Sequence, residues 1–164
     1  MRGIPGAGKS TWARLNHPDA VVCSADSFFL DDEGVYRFDG ERISEAHSWC
    51  LRNFAETMAS LERHELQDTA QVVIVDNTAI RAWEISPYYS LASAYGHDVK
   101  IVQLCCDVPT ALARNIHGVP ADRIEKMHDG LSSEELPPFW TVVILEGTEP
   151  NPCRTPPSSE LPEL

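Results

Sequence analysis

A chain of 164 residues suits one packed domain, and a 43% hydrophobic content rules out wholesale disorder. No apolar run is long enough to span a bilayer, and a formal net charge of −12 argues against coating long nucleic acid by charge alone, while leaving room for a small basic pocket for one phosphate or one polynucleotide end. The five cysteines form no CxxC pair and no zinc spacing, so a reducing, cytoplasmic setting is expected, and a start that runs straight into a glycine-rich loop reads as lacking a signal peptide.

In chain order, the loop comes first: residues 3–10 read GIPGAGKS, the pattern G-x-x-x-x-G-K-[ST]. Residues 9–16 predict a short helix that ends before Pro18. Residues 20–24 (AVVCS) are the short apolar run of a buried parallel strand. Residues 26–40, rich in Asp, Gly and Phe, read as a loop. Over 41–65, Ile43, Ala46, Cys50, Phe54, Met58 and Leu61 recur every three or four positions and predict a long amphipathic helix. Residues 72–75 (VVIV) give a second strand closed by Asp76. Residues 82–95 predict a helix that Pro87 starts or kinks. Residues 99–104 give a third strand, and 109–116 a helix with Pro109 in its first turn. Gly118 and Pro120 break the chain, 121–128 make another short helix, and 140–145 a fourth strand. From Glu146 the Pro-, Glu- and Ser-rich composition predicts a disordered tail. The expected organisation is a domain over 1–145 and a tail over 146–164.

Strands alternating with helices point to an α/β fold of the P-loop NTPase type, three layers α/β/α around a parallel sheet. In such sheets ligands sit at the carboxyl ends of the strands, where the loop, Asp26 and Asp76 all fall. Only Met1 and Arg2 precede Gly3, so the strand that should lead into the loop is largely missing, and the sheet is expected to show a gap or an unpaired edge.

The chemistry follows from residue types. Gly3, Gly6 and Gly8 let backbone amides approach phosphate; with Pro5, Ala7, Thr11 and the positive end of the following helix they form an anion nest. Lys9 brings a point charge to the β- and γ-phosphates, and Ser10 a hydroxyl for Mg²⁺. The strand-then-Asp pattern makes Asp76 the second metal residue. Asp26, just after the first strand downstream of the loop, is the candidate base for an attacking hydroxyl. Arg114 and Arg123 flank the break at Gly118 and Pro120, where guanidinium groups offset charge on a transferring phosphoryl group; His117 is a weaker candidate. Phe28 and Phe29 either stack on a base or sugar or pack in the core. Asp31, Asp32 and Glu33 read as a solvated loop, Trp49 and Trp83 as packing residues, and Cys105 and Cys106 as strand-end packing. The absence of N-K-x-D disfavours a GTPase.

The runs GIPGAGKSTWAR, SADSFF, IVDNTAIRAWE and DVPTALARNIHGVP closely resemble the kinase-domain group of Nedd-four-binding protein two and its shorter relatives, itself similar to phage polynucleotide kinase. The resemblance covers roughly residues 2–128. It implies ATP and Mg²⁺ as cofactors and transfer of the γ-phosphate to a 5′-hydroxyl of RNA or DNA. By position it implies Lys9 and Ser10 as the loop pair, Asp26 as the general base, Asp76 as the aspartate after the third family strand, and Arg114 as a lid arginine. The sequence departs from the family at Ser27, where a second Asp is usual, at Phe29, where the phage enzyme has an arginine, and in a shorter, less basic lid. A small-molecule hydroxyl kinase and a non-catalytic ATP-binding module are the alternatives.

Overall fold

The computed structural model describes residues 1–63 and 72–146. The elements run α1 (Lys9–Asn16), β1 (Val21–Cys23), α2 (Ile43–Glu62), β2 (Val73–Val75), α3 (Ala82–Ala94), β3 (Lys100–Cys105), α4 (Val108–Ala113), α5 (Ala121–Ser133) and β4 (Thr141–Glu146). This is a mixed α/β chain whose strands pair in parallel. β1 lies beside β2 with Val21 opposite Val73, and β3 beside β4 with Lys100 opposite Thr141.

The expected gap in the sheet is present, and residues 1–3 occupy it. The Arg2 N–H donates to the Val102 carbonyl at 2.8 Å and the Arg2 carbonyl accepts from Leu104 at 2.9 Å, a parallel bridge to β3. On the other side, the Met1 amine donates to the Val75 carbonyl at 2.6 Å and the Gly3 N–H to Thr78 at 2.9 Å. The side chain of Arg2, only 2% exposed, completes the splice. Its guanidinium donates to the carbonyls of Ala79, Ile80 and Leu131 and to the Gln103 side chain, so each of its three nitrogens finds oxygen.

Helix α2 forms as its periodicity predicts. Ala46, Cys50, Phe54 and Met58, four residues apart, are buried and pack with Cys23, Ala25, Phe29 and Ala92. Truncating Phe54 to alanine removes a ring from this cluster, at a cost of about 3–5 kcal/mol. A second cluster gathers Ile4 and Ala7 of the glycine-rich loop with Ile80, Leu104, Ala111, Ile124 and Leu131. The loop is therefore pinned from beneath by apolar packing.

Several expectations are corrected. Residues 26–40 are not a plain loop: Ala25–Phe29 form a 3-10 helix capped by Ser24, Gly40–Arg42 another, and Leu30 bridges Tyr36. Asp31 is more than a solvated residue, since its Oδ1 accepts from the Glu33 and Val35 amides and its Oδ2 from Arg37. Pro87 lies within α3, which starts at Ala82, rather than starting it. Trp83, expected to pack, is 73% exposed. Helix α4 stops at Ala113 rather than running to 116, and α5 continues to Ser133 rather than stopping at 128. Glu146, expected to open the tail, is the last residue of β4; the rest of that expected tail and the last two residues of the expected 41–65 helix lie outside the described residues.

Candidate functional site

The glycine-rich loop leaves the bridge to β3 at Gly3 and enters α1 at Lys9. Gly6 has φ 80° and lies so close to α4 that a Cβ there would stand 2.3 Å from the Ala111 carbonyl oxygen. Gly8, at φ 90°, caps α1 with no side chain, and the first turn of α1 carries no acidic residue. The first amides of that helix thus have no side-chain partner, and this end of a helix favours an anion. Pro5 and Ala7 are buried under the loop, and Ser10 and Thr11 are exposed at the start of α1.

Lys9 Nζ donates to the Ile4 carbonyl at 3.1 Å, across the loop. Burial lowers its pKa, and the charges of Asp76 and Asp26 work in the opposite sense. Ser10 Oγ donates to Asp76 Oδ2 at 2.5 Å. Asp76 is 7% exposed, and its Oδ1 is buried with no hydrogen-bond partner among the described residues.

The ends of β1 and β2 are stitched together by residues that sequence reasoning passed over. Ser24 Oγ donates to the Asp76 carbonyl at 2.9 Å and accepts from the Asp26 amide at 3.3 Å. Asn77 Oδ1 accepts from the Ala25 amide at 2.9 Å. The signals were present: a serine two residues before Asp26 in cap position, and an asparagine directly after Asp76. Asp26 is exposed, and Tyr36 Oη donates to its Oδ1 at 3.4 Å.

Arg114 caps the end of α4, where its charge acts on Asp107 and Cys106. Arg123 stands exposed in the first turn of α5, and no described contact ties it to the glycine-rich loop. His117 sits in the segment between those helices with its ring on Tyr36, centroids 5.2 Å apart. Phe29 is a core residue, and Phe28 is half-buried beneath the guanidinium of Arg42, 4.7 Å from the ring centroid. The structure thus brings together the loop, Lys9, Ser10, Asp76 and Asp26.

Oxygen donors at Ser10 and Asp76 suit a hard divalent cation, and an orphaned buried carboxylate oxygen is what such an ion would satisfy. No group of three or more His, Cys, Asp or Glu side chains forms a metal cage among the described residues. Mg²⁺ needs none, since it keeps waters and phosphate oxygens as ligands. Among the described residues, no helix is long and apolar enough to cross a membrane.

A family model described as an AAA domain matches residues 1–127. NEDD4-binding protein 2 of Homo sapiens is 35% identical over 136 residues, covering 77% of this chain and 7% of that protein. The 2′,3′-cyclic-nucleotide 3′-phosphodiesterase of Mus musculus is 24% identical over 148 residues, covering 85% of this chain and 32% of that protein. YLP motif-containing protein 1 of Homo sapiens is 26% identical over 147 residues, covering 79% and 7%. The chain spans less than a third of the length of each of these relatives.

Proposed function

The chain belongs to the AAA domain family of P-loop nucleotide-binding domains, and from that premise we propose that it is an ATP-dependent phosphotransferase whose acceptor is a hydroxyl, foremost the 5′-hydroxyl of a polynucleotide. The observation that carries this reading is that Ser10, in the first turn after the glycine-rich loop, bonds Asp76, while Ser24 links the Asp76 carbonyl to the Asp26 amide and so joins the two strand ends.

In the proposed transfer, the amides from Gly3 to Thr11 hold the β- and γ-phosphates; Pro5, which has no N–H, and Ala7 shape the loop around them. Lys9 turns from the Ile4 carbonyl to the phosphate oxygens. Asp26 takes the proton of the acceptor O–H as that oxygen bonds to the γ-phosphorus. The bond from the γ-phosphorus to the β–γ bridging oxygen breaks, and ADP leaves with the electron pair. Arg114, with Arg123 on the other side of the break at Gly118 and Pro120, offsets the charge spread over the transferring group. Ser10 and Asp76 would hold Mg²⁺, and the ion would supply positive charge against the phosphate oxygens.

A second reading, a small hydroxylated acceptor, draws on a groove of about 340 Å³ lined by Ser24, Ser27, Trp49, Asn53 and Thr57 among others, with no Lys or Arg in its lining. Two of those serines flank Asp26 in the chain. The test is γ-labelled ATP with Mg²⁺ and either 5′-hydroxyl oligonucleotides or a panel of small hydroxyl compounds. Label on the oligonucleotide is expected. Label confined to small compounds moves the acceptor to the second reading, and nucleotide binding without any transfer removes the kinase. Asp26→Asn is expected to cut turnover by roughly two to four orders of magnitude with ATP affinity intact; undiminished turnover would take Asp26 out of the base role.

A further inference from the structure

Two segments far apart in the chain meet on one ring. Tyr36 is fixed in place by its bridge to Leu30, by the Arg37 amide donating to the Phe29 carbonyl at 2.8 Å, and by its edge against the buried Phe29 ring, centroids 6.1 Å apart. From this footing its hydroxyl reaches Asp26 Oδ1 at 3.4 Å, while its ring meets His117 at 5.2 Å. His117 is presented by a closed turn: Asn115 Nδ2 donates to the Val119 carbonyl at 2.7 Å and Asn115 Oδ1 accepts from the Val119 amide at 3.2 Å. Burial and the neighbouring Asp26 charge push the phenol up to about 12. A phenol is protonated at neutral pH in any case, so the hydroxyl is a donor facing the carboxylate.

Asp26 needs such a partner. It is an exposed aspartate on a 3-10 helix of five residues, and the terminal torsion of an aspartate is broad. A base left free to rotate spends little time in the geometry of proton transfer.

We propose that Tyr36 is a positioning residue for the phosphoryl transfer assigned above: its hydroxyl holds Oδ1 of Asp26, leaving Oδ2 to take the acceptor's proton, and its ring ties that carboxylate to the 114–120 segment through His117. This rests on Asp26 being the base. Contact of the segment with the ring then sets the carboxylate, so the position of His117 is read at the reacting centre without His117 touching substrate.

The test uses the full chain with ATP and a 5′-hydroxyl oligonucleotide. Tyr36→Phe keeps the ring and removes the hydroxyl; it is expected to lower kcat about three- to tenfold with the KM for ATP and the melting temperature unchanged. His117→Ala is expected to lower kcat by a smaller factor in the parent chain and to have no further effect in the Tyr36→Phe background. An unchanged kcat in Tyr36→Phe overturns the proposal, and so does a loss shared with KM and melting temperature, which marks a structural role. A readout independent of acceptor is fluorine NMR of protein carrying 3-fluorotyrosine, with the Tyr36 signal identified by its loss in Tyr36→Phe. Its titration midpoint is expected to fall in Asp26→Asn, and an unmoved midpoint overturns the contact. Full turnover in Asp26→Asn with a shifted fluorine midpoint would strike the base assignment and leave the contact standing.

Discussion

Ser10 and Asp76 share a hydrogen bond of 2.5 Å through Oδ2, while Oδ1 of the same carboxylate is buried without a partner among the described residues. Leaving a buried carboxylate oxygen unpaired is costly, and under the proposed function a divalent cation would satisfy it. Asp76→Asn preserves the shape and removes the charge. Calorimetry is expected to show ATP binding in Mg²⁺ weakened by about tenfold or more, with binding in EDTA little changed. Equal losses in both buffers would remove the metal role.

Lys9 Nζ rests on the Ile4 carbonyl, inside the loop it serves. Lys9→Met keeps most of the volume and deletes the ammonium. Nucleotide affinity is expected to drop about 10- to 100-fold, the range of a lost charge-assisted hydrogen bond. An unaltered dissociation constant for ATP would place the triphosphate elsewhere.

Gly6 and Gly8 share a positive φ but differ in their surroundings. A Cβ at Gly6 would stand 2.3 Å from the Ala111 oxygen, and one at Gly8 would meet nothing within 4 Å. Gly8→Ala is therefore expected to cost about 1 kcal/mol from backbone conformation alone. Gly6→Ala adds a backbone clash and is expected to cost about 3 kcal/mol or more. Denaturant melts of the two variants check the ranking, and equal losses would contradict the packing of the loop against α4.

The amine of a chain that starts at Met1 is buried against the Val75 carbonyl, and burial lowers its pKa from 8.0 to about 6. The unfolded chain then binds more protons than the folded one between those values, so stability rises with pH across that window. The penalty is fully present below pH 6 and gone above pH 8, and amounts to about 3 kcal/mol, an upper figure. Adding about five apolar residues ahead of Met1 replaces the amine by an amide and supplies ladder bonds to β2 and β3. The extended protein is expected to melt higher and to lose this pH dependence; an unchanged melting temperature counts against the argument.

What could be read in the sequence was what is local. The glycine-rich loop, the strand leading to Asp76 and the periodicity of α2 are each encoded within a few turns of chain, and each stands where it was expected. The missed features depend on distant partners. Nothing near Tyr36 announces His117, which lies 81 residues along, and nothing near Arg2 announces carbonyls at Ala79 and Leu131. Helix α5 runs five residues past its expected end, through Gly130 and serines that are weak helix formers. In the fold, a Cβ at Gly130 would sit 3.0 Å from Ile80 Cγ2, so the glycine serves a close approach rather than an ending. Helix α4 stops early because Asn115 turns its side chain to the Val119 backbone instead of continuing the helix.

The closed turn made by Asn115 and Val119 also bears on the entropy of recognition. Fixing one residue's backbone costs about 1–2 kcal/mol, and the two bonds across this turn impose that order before any ligand arrives. A molecule that meets Ile116, 88% exposed at the turn's crest, encounters a shape already made. Its affinity is therefore diminished by the freezing of its own bonds and not by those of residues 115–119.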